Sequence, residues 1–380
     1  VERFTDLGVE CFTGEAKVLS PYKVEVNGQT LTTKNIIVAT GAFPLLPPIP
    51  GLDTMNPLTS DTLWDLETRP NRLLVLGGGP IGSELAQSFG RLGSQVIQVE
   101  MGPKIMGRED DDVSTHVQKV FEKDGVQILT EHKASRFEMR GDQKVAICEH
   151  NNQEVEIEFD EVLVALGRKA RTKGFGLEDL DVETNPNGTM VVDEYLRSSR
   201  YPNIFACGDV AGPYQFTHTA GHQAWFACVN ALFSPLKKFK VDYRVIPWCT
   251  FVDPEVARVG LNEKEAKEKG IDYDVTVYGL DDLDRAIAEG EDEGFVKVIT
   301  PKGSDKILGV TIVGSHAGEL IAEYILAMKY GIGLNKILGT IHIYPTWAEA
   351  NKYAAGVWKK ANAPAKALEY LKKFHTWRRS

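Results

Sequence analysis

The chain has 380 residues, with 43 Lys+Arg against 53 Asp+Glu, a formal net charge of −10, and 43% hydrophobic and 25% charged residues. At roughly 150 residues per domain this is two or three domains of globular composition, which argues against disorder, collagen and coiled coil. The acidic balance argues against a nucleic-acid partner, and no run approaches the roughly 18 apolar residues of a bilayer span.

The opening Val1-Glu2-Arg3-Phe4 lacks the apolar core of a signal peptide and lacks a Met, which sets the expectation of an incomplete chain. Five dispersed cysteines, Cys11, Cys148, Cys207, Cys228 and Cys249, form no C-x-x-C and no metal-ligand spacing. They read as small buried hydrophobes in a reducing, cytoplasmic setting. Asn27-Gly28 between extended segments predicts a hairpin. Ile36–Ala39 is a continuous apolar run, as in a buried parallel strand, and the Pro44–Gly51 stretch predicts a connector. From Arg72 the pattern alternates strand and helix: strands at 73–76 and 96–99, helices at 81–92 and 113–123. Segments 136–149 and 153–158 read as strands, and 162–165 as a return to the parallel sheet. Beyond 241 four strands are expected, at 250–260, 274–278, 295–300 and 307–313, with helices at 263–269 and 317–329. This is an α+β texture. Residues 348–374 read as mostly helical.

The sharpest motif is Gly77-Gly78-Gly79-Pro80-Ile81-Gly82-Ser83-Glu84, a G-x-G-x-x-G between a strand and a helix. Gly77 permits the tight turn, Gly79 the approach of a pyrophosphate, and Gly82 close packing of helix on sheet. The helix N-terminus then offers free N–H groups to the phosphates. Glu100 ends the next strand, 23 positions after Gly77, near the spacing expected of a ribose-binding carboxylate. Such a carboxylate repels a 2′-phosphate, so NADH is favoured over NADPH. Two further pieces, Ala39-Thr40-Gly41 and Cys207-Gly208-Asp209, look like turns of a second nucleotide site; a purely structural role for them is an open alternative.

Taken together, these motifs resemble the pyridine nucleotide–disulfide oxidoreductases, the group with glutathione reductase, dihydrolipoamide dehydrogenase and mercuric reductase. The match is carried by Ala39–Pro44 (A-T-G-x-x-P), Gly77–Glu84, Ala165–Arg168 (A-x-G-R), Gly208–Asp209, and Phe251-Val252-Asp253-Pro254-Glu255, in that order. The resemblance implies an α/β fold in which a Rossmann-like NAD-binding domain is inserted in an FAD-binding domain, followed by an α+β dimerisation domain. The expected boundaries are 1–50 and 169–240 for the FAD-binding parts, 51–168 for NAD, and 241–380 for a homodimer interface. FAD contacts are implied for Thr40, Gly41, Gly208 and Asp209, with the aspartate on the ribityl chain, and cofactor contacts for Gly167 and Arg168. NAD(P)H contacts are implied for Gly77, Gly79, Pro80, Ile81, Gly82, Glu84 and Glu100. The family's first G-x-G-x-x-G and its C-x-x-x-x-C are not in this chain, which reinforces the expectation of a missing upstream segment and of weak flavin binding.

The family ends in H-P-T-x-x-E, whose His and Glu serve the partner's disulfide. Here the segment is Tyr344-Pro345-Thr346-Trp347-Ala348-Glu349. Tyr344 stands at the His position and Glu349 is kept, so these two are the candidate catalytic residues. A phenol with a pKa near 10 is a poor proton carrier for thiols at neutrality. That substitution and Arg108-Glu109-Asp110 resemble mercuric reductases, although a C-terminal cysteine pair is absent. His342 is expected on the same face of an extended segment as Tyr344, as a structural or surface histidine. The tail from Val357 has seven Lys or Arg and one acid, with apolar residues at helical spacing, which allows an interface helix or weak contact with a membrane surface. The leading expectation is a flavoprotein that passes hydride from NADH through flavin, and a disulfide upstream, to a small-molecule or metal-ion acceptor, in the manner of mercuric reductase. The alternatives are a dihydrolipoamide dehydrogenase-like enzyme and a non-catalytic NADH-binding dimerisation module.

Overall fold

The computed structural model describes residues 1–379. The chain divides into two compact units, Val1–Leu46 with Gly167–Tyr243, and Pro47–Leu166 with Arg244–Ser380.

In the first unit Ala16–Ser20, Lys23–Val26 and Gln29–Thr32 form an antiparallel meander. Asn27 and Gly28 take φ of 52° and 75° at its tip, the left-handed pair that a two-residue hairpin demands. Ile36–Val38 pairs in parallel with Ile204–Ala206, and Ala42–Pro44 pairs antiparallel with Arg168–Ala170. Val18, Ile36, Val38, Met190, Ile204, Ala206 and Val210 make the core. The Ile36–Ala39 run is not buried throughout. Ile36 and Val38 are buried while Ile37 is 37% exposed, because successive strand residues face opposite sides and only one side of this strand is covered. The Thr217–Phe233 helix follows, with Thr219, Gln223, Ala227 and Asn230 inward.

In the second unit a four-stranded parallel sheet has the order Glu161–Val164, Arg72–Leu76, Gln95–Val99, Gln127–Leu129. Leu73 and Val75 point to one face and Leu74 and Leu76 to the other, and all are buried. One face carries the helices Pro80–Arg91 and Asp111–Lys123, whose Ala86, Val113, Val117 and Phe121 fill the core. The other face meets an antiparallel meander, Lys133–Arg140, Gln143–His150 and Gln153–Phe159. The segment expected as one strand at 136–149 is thus two, because Gly141 at φ 62° turns the chain between Arg140 and Gln143.

Beyond residue 244 five strands, rather than four, form an antiparallel sheet in the order Pro247–Thr250, Glu255–Gly260, Gly309–Gly314, Phe295–Pro301, Tyr273–Gly279. The strand expected at 250–260 breaks at residues 251–254, where Pro254 has no N–H to offer a ladder, and its halves pair with each other. The helices Ala317–Tyr330 and Glu349–Ala361 pack with Tyr324, Ala354 and Trp358 into this sheet's core. The predicted helix at 348–374 is two helices, Glu349–Ala361 and Ala365–Arg379, separated at Asn362-Ala363-Pro364. Among the described residues no helix is long and apolar enough to cross a membrane.

Candidate functional site

The glycine turn lies at the C-terminal end of Arg72–Leu76, between that strand and the Pro80–Arg91 helix. Its three glycines have separate reasons. Gly77 has φ 111°, and a Cβ there would lie 2.5 Å from the Ala165 carbonyl oxygen. A Cβ at Gly82 would overlap the Gly77 carbonyl oxygen. Gly79 has ordinary backbone angles, and a Cβ there would meet no atom within 4 Å. The first two glycines are therefore required by packing. The third opens onto free space directly beneath a helix N-terminus, where Pro80 sits at the first helical position. The unpaired N–H groups of Ile81 and Gly82 in that first turn suit an anion. This is the cradle a pyrophosphate would fill, so the residues present fit a dinucleotide.

Glu100 braces the turn. Its Oε2 accepts the Gly78 N–H at 2.6 Å and its Oε1 accepts the Gly102 N–H at 2.6 Å. A carboxylate has about four acceptor sites, so two remain for ribose hydroxyls. Gln98, fully buried on the same strand, donates from Nε2 to the Gly77 carbonyl at 3.0 Å. It was missed at the sequence level, where a Gln inside Val96–Val99 was itself the signal: a buried amide must have partners.

Glu84 lies in the Pro80–Arg91 helix that follows the turn. Its Oε1 accepts the Phe251 N–H at 2.8 Å, and burial raises its carboxyl above the usual range despite that bond. Gln87 accepts the Asp253 N–H at 2.8 Å, and Arg91 pairs with Asp253 at 2.5 Å. Phe251–Glu255 is thus a joint between the glycine-turn helix and the antiparallel sheet. Glu255 in turn accepts the Gly318 N–H at 2.8 Å, at the start of the Ala317–Tyr330 helix. A second joint is buried. Glu109 meets Arg258 at 3.1 Å and accepts the Trp248 indole N–H at 3.1 Å, while Asp110 meets Lys297 at 2.9 Å. Arg258 and Lys297 are each 1% exposed. Burial raises the Glu109 carboxyl, with Arg258 opposing. The Arg108-Glu109-Asp110 run that resembled mercuric reductases therefore has a packing task of its own.

In the first unit two turns share one end of a parallel strand pair. Thr40-Gly41 follows Ile36–Val38 and Gly208-Asp209 follows Ile204–Ala206, with the Cys207 N–H donating to the Val38 carbonyl at 3.0 Å. Ligands of parallel sheets sit at this end. Gly208 has φ 77° and Gly41 φ 67°, conformations suited to glycine. Gln223, also missed from sequence, accepts the Gly208 N–H at 2.6 Å and donates to the Gly212 carbonyl at 2.7 Å. Thr40 spends its hydroxyl on the Arg171 carbonyl at 2.6 Å. Gly167 (φ 114°) and Arg168 lie in this unit too, where Arg168 donates to the Ala42 carbonyl at 2.9 Å. Arg168 stands 3.9 Å from Asp209, beyond hydrogen-bond length. Asp209 is half-buried, and desolvation lifts its carboxyl, with Arg168 opposing. A carboxylate desolvated without a close donor fits a polyol hydroxyl, so these residues fit one wall of an FAD site.

Tyr344 and Glu349 are separated by burial. The Tyr344 ring is 65% exposed and its hydroxyl donates to Asp284 at 2.9 Å, a bond that pushes the phenol's pKa up. Glu349 is buried and accepts from the Tyr353 hydroxyl at 3.1 Å and the Thr346 N–H at 3.4 Å. His342 does not share a face with Tyr344. Residues 341–343 are not a strand, and the His342 side chain is buried against Glu323 at 3.1 Å. Its other ring nitrogen meets the Thr340 carbonyl at 3.0 Å. It is a structural histidine.

A parallel sheet with a glycine turn at its C-terminal end, a second pair of nucleotide-type turns and an α+β module define a dinucleotide-binding oxidoreductase class. Residues 1–224 match the pyridine nucleotide-disulphide oxidoreductase family and residues 246–355 match that family's dimerisation domain, and the chain belongs to this family. Its members are FAD-dependent and use NAD(P)H. Mercuric reductase of Staphylococcus aureus is 35% identical over 93% of this chain and 65% of its own length. Dihydrolipoyl dehydrogenase of Thermus scotoductus is 36% identical over 91% of this chain and 75% of its own. Among solved structures, the HOCl-induced flavoprotein disulfide reductase RclA from Escherichia coli superposes with a TM-score of 0.86 at 27% identity, covering 94% of this chain and 82% of that one. The chain spans 56–65% of the length of three mercuric reductases it matches.

Proposed function

We propose that this chain supplies the NADH-binding and homodimerisation parts, and one wall of the flavin site, of an FAD-dependent oxidoreductase whose acceptor is a soft metal ion, as in mercuric reductase. Gly77, Gly79, Pro80, Ile81 and Gly82 hold the pyrophosphate, Glu100 the adenosine ribose, and Glu84 fixes the helix beneath the nicotinamide half. Thr40, Gly41, Gly167, Arg168, Gly208 and Asp209 line the flavin. When bound, FAD supplies the two-electron relay between nicotinamide and acceptor. For Hg(II) the balance is NADH and Hg(II) giving NAD⁺, Hg(0) and one proton.

One observation carries the choice of acceptor. Tyr344 occupies the place of the family's acid–base His, and its hydroxyl is tied to Asp284 with its pKa pushed up. At neutral pH it stays protonated, so it cannot take protons from thiols as an imidazole does. It can offer an oxygen or an aromatic wall to a metal–thiolate acceptor.

The test is a flavin absorbance spectrum, with FAD supplied, of this chain alone and of this chain joined to the upstream flavin and disulfide segment that the family resemblance implies, followed on the joined form by NADH oxidation with Hg(II) in excess thiol or with lipoamide as acceptor. Bleaching by NADH and turnover with Hg(II) but not lipoamide is expected. Lipoamide turnover that disappears in Tyr344→Phe would overturn the assignment of Tyr344. NADH binding without flavin binding would leave the non-catalytic module as the reading.

A further inference from the structure

The segment from Gly339 to Pro345 carries Tyr344 and has little to pack on. Ile341 is 96% exposed and Ile343 77%, and every residue of the segment except His342 is exposed. A segment with so few buried contacts holds its place only through its anchors. His342 is such an anchor, with a side chain only 6% exposed. Both of its ring nitrogens face acceptors. Nδ1 lies 3.0 Å from the Thr340 carbonyl, and Nε2 lies 3.1 and 3.2 Å from the two Glu323 oxygens. A neutral imidazole has one N–H, so both bonds form together only when the ring carries both protons. The bond to Glu323 is then charge-assisted. Glu323 holds a second partner: its Oε2 accepts the Asn351 side-chain N–H at 2.9 Å. Asn351 is buried, donates also to the Leu320 carbonyl at 3.0 Å, and accepts the Tyr324 hydroxyl on its own carbonyl at 3.3 Å. It stands two positions after Glu349, in the first turn of the Glu349–Ala361 helix.

We propose that Glu323, in the Ala317–Tyr330 helix, is a positioning residue for both candidate catalytic side chains. Through His342 it sets the segment that carries Tyr344, and through Asn351 it sets the start of the helix that carries Glu349. This role rests on the proposed function of Tyr344. The Tyr344 hydroxyl goes to Asp284, and the Glu349 carboxylate to Tyr353 and Thr346, so neither side chain orients the other. What they share is Glu323, reached two residues before the one and two residues after the other. A single carboxylate on one helix thereby fixes the placement of two residues on separate segments. An apolar side chain at position 342 would fill much of the same space but bond neither Glu323 nor Thr340, so packing and positioning predict different results.

The readout is the alkaline absorbance of Tyr344, taken as the difference between each variant of the full chain and the same variant carrying Tyr344→Phe. Far-UV circular dichroism and NADH affinity check folding. In the parent the bond to Asp284 pushes the phenol's pKa up. In His342→Leu it should fall to the ordinary value of about 10, because the slackened segment no longer brings Tyr344 to Asp284. Glu323→Ala should do the same, and it serves where His342→Leu fails to fold. Glu323→Gln should match the parent, since its amide can donate to a neutral ring and still accept from Asn351. In the joined form, kcat with Hg(II) should fall in His342→Leu as in Tyr344→Phe, by about tenfold at most, and no further in the double variant, with KM for NADH unchanged. A parent-like Tyr344 ionisation in folded His342→Leu or Glu323→Ala would overturn the proposal and leave His342 as packing alone. Absence of Hg(II) turnover in the joined parent would overturn the acceptor reading instead, and the absorbance would still decide the positioning.

Discussion

The turn at Gly77–Gly82 and the turn at Gly208–Asp209 sit at equivalent places, each at the C-terminal end of a parallel strand, yet they are held very differently. The first is braced from three directions: by Glu100 on Gly78, by Gln98 on Gly77, and by Ala165 beneath it. Its helix is tied onward through Glu84, Gln87 and Arg91 to Phe251–Asp253. The second turn has Gln223 as its brace, lies on a strand with one open face, and keeps Asp209 without a close donor. A site whose supports are built into its own unit is organised before any ligand arrives. A site supported from one side gains order from what it binds.

The largest effect should come from cutting the buried joint beside the first turn. Glu109→Ala leaves Arg258, 1% exposed, without its nearest carboxylate. Breaking such a pair costs about 3–5 kcal/mol. Denaturant unfolding should show that loss, and NADH affinity should fall with it. A change under about 1 kcal/mol would mean that the turn does not depend on this joint.

Next in size is a contrast inside the turn. Gly82→Ala drives a methyl into the Gly77 carbonyl and should cost about 1–3 kcal/mol. Gly79→Ala meets nothing within 4 Å and should melt like the parent, but its methyl occupies the space assigned to pyrophosphate. NADH titration should then show a drop of about tenfold or more at unchanged stability. Equal NADH affinity in Gly79→Ala and the parent would remove the nucleotide assignment while leaving the packing argument intact.

A smaller effect tests the open turn. The folded state raises the Asp209 carboxyl above its unfolded value, so folding favours its protonated form. The ionised group therefore costs stability once pH exceeds the unfolded pKa of about 3.9. Asp209→Asn should be slightly more stable than the parent at pH 7, by less than about 1 kcal/mol, and the gain should vanish below about pH 4. Flavin affinity should fall about tenfold in the same variant, with NADH affinity unchanged. A variant less stable at pH 7 would mean that Arg168 matters more to Asp209 than its 3.9 Å separation suggests.

Much of the first turn was readable because its determinants are local. The three glycines, the strand before them and Glu100 lie within 30 positions, and periodicity marks each element. What was not readable depends on distant pairing. Gln223 serves Gly208 from 15 positions along the chain, and Glu109 serves Arg258 from 149 away. Charged residues such as Glu109, Asp110, Arg258 and Lys297 look like solvated surface in sequence, because nothing local shows that they neutralise one another inside. The breaks at Gly141 and at residues 251–254 were legible but went unread: Gly141-Asp142 and Asp253-Pro254 are turn signals inside the two runs. His342 was placed by a strand period that its segment does not follow.

The smallest expected change is the most informative about acceptor chemistry. Tyr344→Phe removes an exposed hydroxyl and should leave stability within about 0.5 kcal/mol and NADH affinity unchanged. Its alkaline difference spectrum against the parent should report one tyrosine ionising above the ordinary value of about 10, because the hydrogen bond to Asp284 holds the proton and the Asp284 carboxylate repels the phenolate. Asp284→Asn should return that ionisation toward the ordinary value. If Tyr344 were the proton carrier, Tyr344→Phe would lower turnover by about 10²–10⁴-fold, the usual yield of a positioned acid–base group. A metal–thiolate acceptor that uses the ring and its oxygen as a wall loses far less, about tenfold at most. The two magnitudes do not overlap, so a single turnover comparison at neutral pH decides whether Tyr344 is a proton carrier.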